Sequence, residues 1–422
     1  MKTMAGYVVR QLADTFYILP TGQRIADRRR CLKINQTGCV IWELLQKDLS
    51  WEELLSSYTE YVKSIEMTEN TKTVKPASIG EEASTVTAAS ISSDLSTYVL
   101  TLFQFGMIQA SAKEMQAFPF APFQAKENAY YCRYNIAGIQ VHYKGRKEWL
   151  HAFFEPFLED GKENPSAHTV KQSGISQSWH VRPLSDVPEI AGELLLFGSQ
   201  LDVYRCSGDY MLRFPSNHHL VLCTLSFDGK EAVFYYDGST QQEAVDELFY
   251  GFRAAFFYLA ALHGKYALHS ASNYYQEKAW LYSASSGTGK TTHVKLWEKL
   301  YAVSVLNGDL NLLGMEKDEV FVYGIPWCGT SGVYTTKKYP LGGIILLKRG
   351  TENRVCKLPQ DERQLYTAQR MISPAWTEKQ VDDSLLFAEK LSDRIPIRQL
   401  YCTQEPSAAA VMKEYIDKYL TI

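Results

Sequence analysis

Apolar positions recur every second residue in some stretches and every third or fourth in others, and the switches between the two periods divide this chain. Tyr7–Leu12 and Thr15–Leu19 are rich in β-formers, and Pro20–Gly22 marks a turn. Arg28–Ile34 alternates weakly, as an edge strand with charged outward residues would. After Asn35–Gly38, the spacing of Val40, Ile41, Leu44 and Leu45 predicts an amphipathic helix. Ser50 and Glu53 stand at capping-box separation ahead of a second helix carrying Leu54, Leu55 and Tyr58. From about Thr68 to Ser90 the chain is Thr, Ser, Ala, Glu and Lys with almost no large apolar residue, which predicts a flexible insertion. Helical period returns over Ile91–Ile108, with Leu95, Val99, Leu102 and Phe103 on one face, and Ala117–Pro122 reads as a linker.

Beyond Asn128 short strand patterns dominate at first, among them Leu220–Leu225 and Ala232–Tyr236, before a helix over about Gln242–His263. The apolar run Lys278–Ser283 leads into a Gly-containing turn. A helical segment follows, with Val294, Trp297 and Leu300 at i, i+3 and i+6. Further strands are expected at Val303–Leu306 and Leu341–Leu347, and helices at Glu362–Met371 and Ala408–Leu420. No repeat recurs at the spacing of solenoids or propellers. The pattern predicts a mixed α/β protein: an N-terminal α+β domain over 1–112, carrying the insertion at about 68–90, a linker at 113–127, and an α/β domain over 128–422 whose first half is β-rich.

Composition narrows the field. At 422 residues, 45% hydrophobic and 22% charged, the chain suits a globular protein of two or three domains, and a net charge of −3 gives no footprint for nucleic acid or an anionic membrane. The eight cysteines lack any Cys-x-x-Cys pair, which argues against a zinc ribbon or a disulfide framework and suits a reducing cytosol. The first residues lack the apolar core of a signal peptide, and the most apolar stretch, Phe256–Leu262, is too short to span a bilayer. A cytoplasmic protein is expected.

The candidate chemistry centres on Ala284–Thr291, a phosphate-binding loop after a strand and before a helix. Ser286, Gly287, Thr288, Gly289, Lys290, Thr291 and Thr292 would surround the phosphates of a nucleotide, with backbone N–H groups and the helix N-terminus favouring the anion. Lys290 is placed to reach the β- and γ-phosphates and Thr291 to ligate Mg²⁺. The pattern ordinarily opens with Gly, and this chain has Ala284, tolerable where φ is negative.

Two resemblances extend this reading. Residues 7–110 resemble the PqqD family of peptide-recognition domains through Leu12–Asp14, Leu19–Gly22, Ile34–Gly38, Ile41–Leu44 and Phe105–Ile108. The resemblance implies a winged helix-turn-helix-like unit that takes up a leader peptide as an added strand. The candidate accepting edge is Arg28, Arg29, Arg30 and Leu32, whose arginines suit an acidic leader. The C-terminal zone is similar to the HPr kinase/phosphorylase family, whose nucleotide site is shared with ATP-dependent phosphoenolpyruvate carboxykinase. The matching features are the Ser286–Thr291 loop, His269 fifteen residues before Ala284, Asp309 nineteen residues after Lys290 at the end of Asn307–Asp309, and the loop Gly324–Gly332. The similarity implies a P-loop kinase domain using ATP and Mg²⁺, with Lys290, Asp309 and His269 catalytic, Thr291 and Asp309 on the metal, and Trp327, Gly329, Thr330 and Ser331 beside the acceptor. One departure matters: the family's two adjacent aspartates are reduced to Asp309 alone.

The combined expectation is an ATP-dependent kinase phosphorylating a seryl or threonyl hydroxyl of a ribosomally made precursor peptide, with the N-terminal domain holding the leader. Partner biosynthetic enzymes and homo-oligomers fit that setting. Two alternatives stand beside it: a kinase for a sugar-like small-molecule hydroxyl, and a non-catalytic nucleotide-binding scaffold that delivers peptide to other enzymes.

Overall fold

The computed structural model describes residues 1–4, 7–20, 31–70, 87–119, 130–159, 174–284 and 289–420. Strands β1 (Tyr7–Leu12), β2 (Thr15–Pro20) and β3 (Leu32–Ile34) form an antiparallel three-stranded sheet. Helix α1 (Gln36–Leu45) begins at Asn35, whose side chain accepts from Gly38 N at 2.8 Å. Helix α2 (Trp51–Asn70) opens with the expected reciprocal cap, Ser50 N to Glu53 at 2.9 Å and Glu53 N to Ser50 at 3.3 Å. Helices α3 (Ala88–Gln104) and α4 (Ala112–Ala117) complete the N-terminal part. The expected insertion overlaps the ends of α2 and α3, and its residues 71–86 lie outside the described chain. So do residues 120–129, which hold the end of the expected linker.

Next come β4 (Tyr130–Ile136) and β5 (Ile139–Gly145), an antiparallel hairpin, and β6 (Ser176–Pro183), which runs parallel to β5. Strands β7 (Glu193–Leu196), β8 (Asp202–Arg205) and β9 (Asp209–Arg213) form an antiparallel meander. Strands β10 (Leu220–Ser226) and β11 (Glu231–Tyr236) lead to the long helix α5 (Gln242–Leu262).

Contacts divide the chain into two compact units, one of Met1–Asn128, Val181–Thr224 and Val233–Leu248, the other of Ala129–His180, Leu225–Ala232 and Phe249–Ile422. In the first unit Trp42, Leu45, Leu54, Leu95, Val99 and Leu102 share one apolar core with Leu184, Met211, Leu222 and Tyr235. The buried Arg213 guanidinium donates to the Phe103 carbonyl at the end of α3, which also accepts from Gly106 N at 3.0 Å.

The second unit is built on a mixed nine-stranded sheet. Its strands are β12 (Lys265–His269), β13 (Ala271–Tyr275), β14 (Lys278–Ser283), β15 (Ser304–Asn307), β16 (Leu310–Glu316), β17 (Glu319–Tyr323), β18 (Lys338–Arg349), β19 (Arg354–Lys357) and β20 (Ile397–Cys402). The strand order is β12-β16-β17-β18-β14-β13-β15, with β20 parallel to β18 and β19 paired to β20. Residues Ala279–Tyr282 of strand β14 are buried and largely apolar because both of its faces are covered. Ala279 and Leu281 pack with Phe387 and Leu391 on one side, and Trp280 and Tyr282 with Trp297 and Met412 on the other. These covering residues come from four helices: α6 (Lys290–Tyr301), α7 (Gln360–Ala368), α8 (Glu378–Arg394) and α9 (Pro406–Leu420), of which α7 adds Tyr366 to the first cluster. The fold is mixed α/β. The eight cysteines are free thiols, and among the described residues no helix is long and apolar enough to cross a membrane.

Candidate active site

Strands β14, β18 and β20 run parallel, so their C-terminal ends lie together, and α6 begins at that end of the sheet. This is where open α/β sheets bind ligands. Gly289 precedes α6 with φ 110° and ψ 25°, a conformation natural only to glycine. Ala284 is buried and has no positive φ, so its methyl packs into the core below the turn without backbone strain. Ser286, Gly287 and Thr288 lie outside the described residues. Lys290, Thr291 and Thr292 occupy the first turn of α6, the two threonines exposed. Beside them opens a cavity of about 210 Å³ lined by residues that include Thr292, His293, Arg349, Thr403 and Gln404.

Three of the expected residues meet in a row. Lys290 Nζ lies 2.8 Å from His269 Nε2, and His269 Nδ1 lies 3.3 Å from Asp309 Oδ1. The row is held by backbone on every side. His269 ends β12, its N–H donating to the Arg370 carbonyl at 2.8 Å, while its own carbonyl accepts from Ser283 Oγ at 2.6 Å. Ser270 N donates to the Asp309 carbonyl at 2.9 Å. Asn307 Oδ1 accepts from the N–H groups of Asp309 and Leu310 at 2.9 and 3.0 Å, an Asx turn that aims the Asp309 side chain. Beneath, the buried Asn311 bridges Ser270 and Ser272, with Nδ2 donating to Ser270 O and Oγ and Oδ1 accepting from Ser272 Oγ.

Burial holds the His269 imidazole below its usual pKa; the Lys290 charge and Arg370 add to that depression and Asp309 opposes it. Burial also lowers Lys290, with Asp309 opposing and Arg370 adding to the shift. The imidazole is therefore neutral near pH 7. Nε2 accepts from the Lys290 ammonium, which leaves the ring proton on Nδ1, facing Asp309.

The Gly324–Gly332 loop stands over this row. Gly329 has φ 61°, and a Cβ there would lie 2.8 Å from the Asp309 Cβ, so glycine is required on both counts. Ser331 Oγ donates to the Cys328 carbonyl at 2.7 Å, while Thr330 and Ser331 are exposed. Trp327 is only 1% exposed and donates from Nε1 to Phe249 O at 3.0 Å, which places its ring under the loop rather than on its surface. Leu32 lies on β3, paired with Ile18 of β2, and Arg28, Arg29 and Arg30 lie outside the described residues.

Two cations escaped the sequence reading. Arg370 and Arg253 enter the electrostatics of the row from positions 61 residues after and 56 residues before Asp309 (370 − 309 and 309 − 253). Neither belongs to a local motif. Helix α8 also went unread, although Thr377 and Gln380 form a capping box at its start.

No family model matches the chain, and no curated protein matches it. Among solved structures, the Hpr(Ser) kinase/phosphatase from Coxiella burnetii is similar at 8% identity and a TM-score of 0.23, over 37% of this chain and 94% of that one. At that score the likeness carries no argument about function.

Proposed function

We propose that this chain is a phosphotransferase that moves the γ-phosphoryl group of ATP to a hydroxyl, and that the acceptor is a seryl or threonyl side chain of a ribosomally made precursor peptide. The observation that carries the reading is the Lys290–His269–Asp309 row at the N-terminus of α6. The surrounding residues suit a nucleotide. A helix N-terminus favours phosphate, and the 210 Å³ cavity beside it has polar groups for a base or sugar. Among the described residues no cluster of three or more His, Cys, Asp or Glu is placed to hold a metal. Mg²⁺ would accordingly rest on Thr291 and Asp309, with phosphate oxygens and water completing its shell, as is usual for this ion.

ATP would supply the phosphoryl group, and Mg²⁺ held by Thr291 and Asp309 would offset the charge on its oxygens. Lys290 turns from His269 towards those oxygens, which frees Nε2. Asp309 takes the proton of the acceptor hydroxyl as the new O–P bond forms and the bond to the β-phosphate oxygen breaks. His269, donating from Nδ1, steadies the Asp309 carboxylate, which afterwards gives the proton up to solvent. A single aspartate suffices because positioning and charge carry most of phosphoryl transfer. In the first unit, β3 stands at one end of its three-stranded sheet, a place for a leader peptide to add as a strand.

Intact-mass measurement of a candidate ribosomally made precursor peptide carrying Ser or Thr, after incubation with protein, ATP and Mg²⁺, tests the proposal. A gain of one phosphoryl group is expected, reduced about 10²–10³-fold in rate by Lys290→Ala. An unmodified peptide from a protein that binds nucleotide would sink the peptide reading.

A further inference from the structure

The acceptor side of the row carries a cation of its own. Phe249, Tyr250 and Arg253 occupy one stretch of α5, tied to the loop over Asp309 by the Trp327 indole, whose Nε1 donates to Phe249 O at 3.0 Å. The Trp327 ring packs 5.8 Å from Phe249 and 5.1 Å from Phe256. Two residues further on, Gly329 lies against Asp309. The Arg253 guanidinium sits 4.8 Å from the centre of the Tyr250 ring. Arg253 is partly buried and, among the described residues, makes no hydrogen bond or ion pair with a carboxylate.

Burial lowers the Arg253 pKa, opposed by Tyr250 and by the Asp309 carboxylate. A guanidinium stays charged despite such a shift, and a charge drawn out of water without an ion-pair partner is costly until an anion meets it. Arg370 adds to the lowered pKa of Lys290 and His269, whereas Arg253 is opposed in its shift by Tyr250 and Asp309.

We propose that Arg253, flanked by the Tyr250 ring, receives a carboxylate of the acceptor next to the hydroxyl served by Asp309. This rests on the phosphotransferase reading for the role of Asp309, and it narrows the acceptor to an acidic one. The planar fork of Arg253 suits a two-oxygen anion, which an ammonium would hold as a point charge only.

The test uses three N-acetylated probes: seryl-glutamine amide, seryl-glutamate amide, and seryl-glutamine as the free acid. Their dissociation constants are measured by NMR titration on the full-length wild type, Arg253→Gln and Arg253→Lys, each loaded with ADP and Mg²⁺. The wild type is expected to bind one carboxylate probe about tenfold or more tighter than the neutral amide. Which of the two wins distinguishes a side-chain from a chain-terminal carboxylate. Arg253→Gln should abolish the preference and Arg253→Lys keep part of it, with ADP affinity unchanged in both. Equal binding of all three probes by the wild type, or a preference that survives Arg253→Gln, overturns the proposal. Weaker ADP binding in Arg253→Gln overturns it too, by assigning the cation to the nucleotide. Phosphoryl transfer to the same probes separates the two readings. Transfer without preference leaves the kinase standing and removes the acidic acceptor. A preference lost in Arg253→Gln without any transfer leaves the anion site standing and removes the kinase.

Discussion

The candidate active site and the core of the first unit are assembled over different ranges of sequence. His269, Lys290, Asp309 and Gly329 come from one continuous stretch of strands, turns and a helix. The first unit instead closes its N-terminal helices against Leu184, Val187, Met211, Val221, Leu222 and Tyr235, supplied by two later segments. A site built from local motifs is fixed once its strands pair. A core shared with a distant segment exists only when the whole chain is present. It follows that residues 1–112, for all their resemblance to a small domain, lack part of their own core when cut free.

That contrast can be broken most forcefully by expressing residues 1–112 alone. Burying each of those six side chains contributes about 1.5–3 kcal/mol, together about 9–18 kcal/mol, which is at least the size of a typical domain's stability. We predict a fragment without cooperative thermal unfolding by circular dichroism. A sharp transition would show that the N-terminal part stands alone.

A smaller, opposite-signed effect comes from two histidines. In the second unit His293, on α6, is only 3% exposed, and burial pushes its pKa down to about 4. The unfolded chain takes up that proton near pH 6.5 and the folded one near pH 4, so stability from His293 is complete above 6.5 and is lost as pH falls through that window, by about 3 kcal/mol. In the first unit His219 hydrogen-bonds Asp237 at 2.6 Å, and this raises its pKa against the effect of burial. Its contribution is complete below its unfolded pKa and is lost as pH rises through the folded one. Hydrogen exchange at pH 7 and pH 5, corrected for intrinsic rates, should show protection falling over Lys290–Tyr301 and rising at the start of β10. Parallel changes in the two places would contradict the assignment.

The short-range signals were legible in the sequence of both units. Strand, glycine turn and helix at 278–301 and the cap at Ser50 each state their geometry within a few residues. Arg213, Arg253 and Arg370 were not legible: on a sequence each is a lone charge, and its meaning comes from a partner on another element. For Arg213 that partner is the Phe103 carbonyl, and for the other two it is the row around Asp309. Trp327 shows the same limit from the other side. The sequence set the loop containing it beside the acceptor; in the structure Gly329 of that loop lies against Asp309, while the direction of the ring, inward to Phe249, depends on α5.

The central claim is that the N-terminus of α6, with Lys290 beside His269 and Asp309, is a nucleotide phosphate site. Titration of fluorescently labelled ADP into the full-length protein, with and without Mg²⁺ and beside Lys290→Ala, tests it most directly. The account predicts saturable binding that Mg²⁺ strengthens and Lys290→Ala weakens about tenfold or more, since a charge-assisted contact to phosphate is lost. Absence of saturable binding at millimolar nucleotide, or equal affinity in the variant, would contradict it.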